Sequence, residues 1–272
     1  MKTMNEEQLT EKVMSKINLS KDKINLEKHV ISLSKSVIDL SKKSNVDLSG
    51  ITAQVVVVLD YSGSMSSLYN NGTVQQTLNR LIPLGLTFDD NGAVEVFLFQ
   101  NDFRQMSAMN LSNYADYIDA VVRKSSYTMG GTCYAPVLDA VINGAKVSQT
   151  ETVETKGLFG FKKNKEVVKL VHQPGLVNDA VPTYVLFITD GANSDETKTT
   201  KLLQSVCEKN VFIQFVGIGN DSFRYLEQLD TLPNRSRDNT GFCRMSDLTA
   251  IPDDVLYTKV LEEFANWLKG KQ

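Results

Sequence analysis

The chain has 272 residues, 42% of them apolar, and a formal net charge of −3. This suits one large α/β domain with a short appendage, or two small domains, and supplies ample material for a core. The mild negative charge argues against general nucleic-acid binding, which shows as a basic stripe or patch. No apolar run approaches the ~20 residues of a membrane span, and an N-terminus carrying Glu6, Glu7 and Glu11 does not read as a secretory signal. Cys133, Cys207 and Cys243 are odd in number and far apart, so they read as free thiols in a reducing, cytoplasmic setting.

Residues 1–50 differ from the rest: rich in Ser and Lys, without an aromatic residue, and repetitive. I-N-L-S-K at Ile17 returns as I-N-L-E-K at Ile24, I-S-L-S-K at Ile31 and I-D-L-S-K at Ile38. In a helix, Val30, Ile31, Leu33, Val37, Ile38 and Leu40 fall on one broad face. Ile-x-Leu also alternates with the period of a strand. The reading favoured is strand-like or irregular chain up to about Glu27, then a helix over 28–43. This extension is expected to pack on the main domain; the other role considered is docking or oligomerisation.

Val55–Leu59 is a continuous β-branched and aliphatic run, the pattern of a strand buried on both faces. It ends in Asp60, and Ser62 and Ser64 follow, so one loop can aim three oxygens at a point. Hard oxygens of this kind suit Mg²⁺ or Ca²⁺. A helix is predicted from Thr73 to about Phe88, ended or kinked by Pro83. Val94–Phe99 reads as the second strand, and Ser112 as a cap for a helix over Tyr114–Arg123. Gly130-Gly131-Thr132 offers a close backbone approach and another hydroxyl. A helix is predicted over Pro136–Val147.

Residues 148–181 read as an insertion. It is rich in lysine, a hairpin with Val153 near one arm and Val167–Val171 near the other is plausible, and a mobile loop suited to an acidic partner is the expectation. Tyr184–Thr189 is a second buried strand and runs into Asp190-Gly191. A helix over Glu196–Lys209, a strand Val211–Gly219, a short helix Phe223–Leu232, a strand Thr240–Met245 and an amphipathic helix Leu256–Leu268 complete the chain. Alternating strands and helices imply a doubly wound, mostly parallel, Rossmann-like sheet with helices on both faces. His29 and His172 have no partner at ligand spacing.

D-Y-S-G-S at Asp60, G-G-T ending at Thr132 and T-D-G around Asp190 together resemble the metal-ion-dependent adhesion site (MIDAS) of the von Willebrand factor type A (VWA) domain. L-Y-N-N-G-T-V-Q at Leu68, F-D-D-N-G at Phe88, F-I-Q-F-V-G-I-G at Phe212 and L-Y-T-K-V-L-E-E-F at Leu256 narrow the resemblance to the bacterial tellurium-resistance, TerF-like group, which is also similar to the copine VWA domain. It covers residues 51–272. The N-terminal repeats resemble the opening of a TerD-type domain, too short here for more than a remnant. The resemblance implies a VWA fold after the 1–50 extension. It implies a metal site formed by Asp60, Ser62, Ser64, Thr132 and Asp190, holding Mg²⁺, with Ca²⁺ or Mn²⁺ as other candidates.

The expected function is metal-dependent capture of a protein partner's Asp or Glu carboxylate, in a bacterial stress or tellurium-resistance system, with no catalytic residues. Two alternatives stand beside it. A phosphohydrolase-type enzyme would need an acid two residues after Asp60, where Ser62 stands, and no nucleotide or acyl-transfer motif is present. A structural oligomer assembled through the N-terminal repeats is compatible with the adhesion reading.

Overall fold

The computed structural model describes residues 4–17, 23–89, 92–156, 162–191, 193–245 and 251–270. Two helices come first, α1 (Glu6–Ile17) and α2 (Lys23–Ser44), then strand β1 (Gln54–Asp60). Next are α3 (Ser66–Asn70), α4 (Thr73–Phe88), β2 (Glu95–Phe99) and β3 (Phe103–Gln105). Helix α5 (Ala135–Asn143) leads into a hairpin, β4 (Gly144–Lys156) and β5 (Lys162–Pro174). The chain closes with β6 (Thr183–Thr189), α6 (Glu196–Ser205), β7 (Val211–Ile218), α7 (Arg224–Asp230), β8 (Thr240–Met245) and α8 (Asp253–Lys269).

Among the described residues, six strands form one sheet in the order β3-β2-β1-β6-β7-β8, parallel except for the short edge strand β3. The sequence reading did not include β3. Period-two alternation divides the central strands between two cores. Val55, Val57 and Leu59 of β1 pack with α1, α2, α4 and α8. Val56 and Val58 pack on the opposite face with Val137, Leu138 and Val141 of α5, Leu203 of α6 and Leu226 of α7. A strand covered on both faces needs apolar residues at every position, and this is why Val55–Leu59 and Tyr184–Ile188 are unbroken apolar runs.

The N-terminal segment corrects the strand-like expectation before Glu27. It is helical from Glu6 to Ile17 and again from Lys23, and residues 18–22 lie outside the described ones. A seven-residue repeat is two helical turns, and spacings of four and three bring Leu26, Val30, Leu33, Val37 and Leu40 to one buried stripe. Ile31 lies off that stripe and is 44% exposed. The stripe joins the core beneath β1, so the segment packs on the sheet domain. Polar ties fix its angle: His29 Nδ1 lies 2.6 Å from Asp253 Oδ2 of α8, and Arg80 Nε of α4 donates to Asp253 Oδ1 at 2.8 Å.

Three further expectations change. Helix α4 runs through Pro83 to Phe88, because Leu81, Ile82, Leu84, Leu86 and Phe88 are all buried and tertiary packing outweighs the lost hydrogen bond. The helix over Tyr114–Arg123 is replaced by a 3₁₀ turn at Tyr114–Asp116 and a π turn at Ile118–Val122. Gln75 causes this from α4: its Nε2 donates to Tyr114 O at 2.6 Å and its Oε1 accepts from Ile118 N–H at 2.8 Å. Ser112 bonds Asn110 instead of capping. Helix α5 stops at Asn143 because Gly144 adopts φ +87°, and the hairpin begins there, with 13 paired positions from Gly144↔Pro174 to Lys156↔Lys162. Residues 148–174 are therefore mostly a two-stranded ribbon, and residues 157–161 at its tip lie outside the described ones.

No described helix is long and apolar enough to cross a membrane.

Candidate metal centre

β1 delivers Asp60 to the C-terminal edge of the sheet, the place where open α/β sheets bind ligands. Its carboxylate is fully buried and held at both oxygens. Oδ1 accepts the Ser62 N–H at 2.8 Å, and Oδ2 accepts the Thr189 hydroxyl at 2.6 Å. When Asp60 is ionised Thr189 gives its proton to it, and the Tyr134 hydroxyl, 3.0 Å away, then donates to Thr189 Oγ1 in turn. Tyr69 donates to the Asp60 carbonyl at 2.9 Å. Burial pushes the Asp60 carboxyl up to about 7; Asp190's charge adds to this, while the Ser62 and Thr189 hydrogen bonds oppose it.

After Asp60 the chain turns through a 3₁₀ segment at Gly63–Met65. This places Ser62 Oγ and Ser64 Oγ 3.0 Å apart, the first buried and the second exposed. The second loop is locked to the first: Gly63 N–H donates to Gly130 O at 3.0 Å, and Ser62 and Gly130 form a parallel bridge. A Cβ would lie 2.0 Å from Gln100 Oε1 at Gly130 and 2.3 Å from Asn101 Oδ1 at Gly131, so a larger residue at either position would displace the end of that side chain. Thr132 follows, nearly buried, and its carbonyl accepts the Ser194 N–H at 2.7 Å. That bond ties the second loop to the third.

The third loop brings Asp190 from the end of β6, 6% exposed. Its Oδ1 is buried and has no hydrogen-bond partner. Asp195, five residues on, caps α5: Tyr134 N–H and Ala135 N–H donate to its two carboxylate oxygens at 2.9 and 3.1 Å. All five sequence-predicted residues therefore stand on three hydrogen-bonded loops at one edge of the sheet. The supporting residues Thr189, Tyr134 and Asp195 were not assigned roles from sequence. Thr189 had a local signal, standing directly before Asp-Gly. Asp195 had a misleading one, since it precedes α6 but serves α5.

The donor set fits a hard cation. Two oxygens on adjacent vertices of an octahedral Mg²⁺, each at ~2.0–2.1 Å, are about 2.9 Å apart, and the Ser62 and Ser64 hydroxyls are 3.0 Å apart. A buried carboxylate oxygen without a donor, near a second carboxylate, is a local excess of acceptors that a cation would relieve. Among the described residues no cluster of three His, Cys, Asp or Glu side chains could hold a metal, so any ion here would rely on the hydroxyls.

The family model for the vWA found in the TerF C terminus matches residues 52–272. The uncharacterized protein YcbR of Bacillus subtilis (strain 168) is 32% identical over 224 residues, covering 82% of this chain and 80% of that protein. Proximal thread matrix protein 1 from the mussel byssus, solved with a zinc-occupied MIDAS motif, is 17% identical with a TM-score of 0.47, over 86% of this chain and 52% of that one. The ArnB paralog VWA2 of Sulfolobus acidocaldarius is 15% identical with a TM-score of 0.41, over 78% and 45%. The chain spans about half the length of these two solved proteins.

Proposed function

We propose, for a chain that belongs to the TerF-like vWA family, that the crevice binds one divalent cation and through it captures a carboxylate of a protein partner. Domains of this type are generally interaction modules. The observation that carries the reading is the unpartnered Asp190 Oδ1 on one loop together with the Ser62–Ser64 hydroxyl pair on another. Ser62, Ser64, Thr132, Asp60 and Asp190 would hold the ion, with Mg²⁺ favoured in a cytoplasmic setting. The ion would supply a positive centre with a ligand position for an outside carboxylate. Neutral hydroxyls quench its charge less than carboxylates would, so an acidic side chain from outside gains more by binding.

The protein's own groups position rather than react. The Tyr134–Thr189–Asp60 relay fixes the Asp60 carboxylate, and both its oxygens already accept hydrogen bonds. Two residues after Asp60, where a phosphotransferase would need an acid, stands Ser62. A bacterial stress or tellurium-resistance system is the proposed context.

The test is calorimetry of Mg²⁺ binding to the wild type and to Thr132→Ala, with partner capture from native lysate in Mg²⁺ and in EDTA. Both binding events should weaken in the variant, and capture should vanish in EDTA. Partner binding indifferent to EDTA would overturn the adhesion reading. Mg²⁺-dependent phosphoester or nucleotide turnover that disappears in Asp60→Ala would make the protein an enzyme.

A further inference from the structure

The β4–β5 ribbon takes no part in the crevice. Helix α5 descends from the metal loops, and the ribbon leaves from its far end, at the opposite edge of the sheet. Its base is fixed there: Leu176 N–H donates to Val141 O at 2.7 Å, and Gln173 hydrogen-bonds Gln105 of β3. Thirteen paired residues at ~3.4 Å each make an arm about 44 Å long. Among the described residues it is a sheet of two strands, and such ribbons are marginal in water without a surface to lie on. Leu170 is 72% and Val171 39% exposed.

The arm is basic in an acidic chain. Gly144–Pro174 holds six Lys (146, 156, 162, 163, 165, 169) and three Glu (151, 154, 166), a formal charge of +3; with −3 overall, the rest of the chain carries −6. Lys163, Lys165 and Lys169 stand at register positions of β5 separated by even steps.

A complementary surface lies at the other edge of the same sheet. Beside β8 a cleft of about 590 Å³ is lined by Asp230, Asp238, Glu263, Phe212 and Trp267 among others. Two arginines already serve it: Arg235 pairs with Asp238 at 2.8 Å, and Arg237 lies 4.0 Å over the Trp267 ring. Two further carboxylates, Asp230 and Glu263, line the cleft beside them. Where Gly241 lacks a side chain, a Cβ would meet Glu263 Oε2 at 2.0 Å and Gln214 Oε1 at 2.8 Å. Gln214 is fully buried and that oxygen has no partner. Burial, then the charges of Asp230 and Asp238, push the Glu263 carboxyl up to about 8. A lysine ammonium brings three donors and a positive charge to such a place.

We infer that the lysine arm of one copy docks in the Asp230–Glu263 cleft of a second copy. Arm base and cleft lie at β3 and β8, the two edges of the sheet and about five strand spacings of ~4.8 Å apart. Arm and cleft are different surfaces, so two copies either exchange arms about a two-fold axis or join head-to-tail into a ring or an open chain. Both surfaces lie at the end of the sheet away from Asp60, so every copy keeps its metal crevice free.

The test is the mass in solution of the full chain, by sedimentation and light scattering across a concentration series. The wild type should exceed the 30.3 kDa of one chain and dissociate in high salt. The arm variant Lys163→Gln/Lys165→Gln/Lys169→Gln and the cleft variant Glu263→Lys should each be monomeric. Mixed, they should form a complex of two chains and stop there, because one intact arm meets one intact cleft. Glu263→Gln, which keeps the side-chain shape, should weaken association without unfolding; melting curves check that each variant is folded. A wild type monomeric at every concentration, or folded variants that fail to pair when mixed, would overturn the inference and leave the arm for a different acidic protein.

Discussion

Asp60→Asn separates the cost of the crevice from its use. In the metal-free protein the Asp60 carboxyl keeps its proton up to about pH 7, against an ordinary 3.8. Between these values folding takes up a proton, so this group's contribution to stability falls as pH rises; above about 7 the penalty is complete. A shift of ~3 units at ~1.36 kcal/mol each is about 4 kcal/mol. Asn keeps the shape and can still accept the Ser62 N–H, but a buried amide facing Thr189 recovers only part of this, so a gain of about 2 kcal/mol is expected. Unfolding entropy of roughly 2.1 cal/mol/K per residue over 272 residues is about 0.6 kcal/mol per degree. In EDTA at pH 8 the variant should therefore melt about 3–4 °C above the wild type, and the gap should close toward pH 4. Adding Mg²⁺ should raise the wild-type midpoint and leave the variant unmoved. Differential scanning calorimetry of both proteins, with EDTA and with Mg²⁺, reads every arm. A variant less stable than the wild type throughout, yet stabilised equally by Mg²⁺, would refute both the buried-charge argument and Asp60's place at the ion.

Leu33→Ala, at a fully buried position of α2, should cost about 2–5 kcal/mol, while the exposed Lys35→Ala should cost almost nothing; urea midpoints compare them. Burial works to raise the Asp253 carboxyl, but the hydrogen bond and charge of His29, with Arg80, hold it below the ordinary value. Its stabilisation is thus present above about pH 4 and fades as pH falls further; Asp253→Asn should lose about 2 kcal/mol at pH 7, with a gap that narrows in acid melts. Gly191 sits at φ +102°, and a Cβ there would lie 2.7 Å from Ser222 O, so Gly191→Ala should lower the melting midpoint and weaken Mg²⁺ binding together.

The central sheet was legible because strands covered on both faces leave unbroken apolar runs, as at Val55–Leu59 and Tyr184–Ile188. The crevice residues were legible because each stands directly after such a strand or beside paired glycines. Whatever depended on a partner distant in sequence was not. Nothing local to Tyr114–Val122 announces that Gln75 will intercept its backbone. Nothing near Asp195 tells that its carboxylate will cap α5 and not the helix it precedes. The N-terminal repeat contains both periods, seven and two, and only the buried stripe from Leu26 to Leu40 decides between them.

That stripe bears on how such a domain can be moved between proteins. The family match begins at residue 52, whereas the continuous core includes Leu9, Val13, Leu26, Val30, Leu33 and Val37. A cut at residue 52 would keep every crevice loop but strip the apolar cover from α4 and α8, leaving their inner faces wet. The stretch that the family match covers is shorter than the stretch that shares one core. A fusion that borrows the crevice has to carry the two helices along or supply another apolar lid.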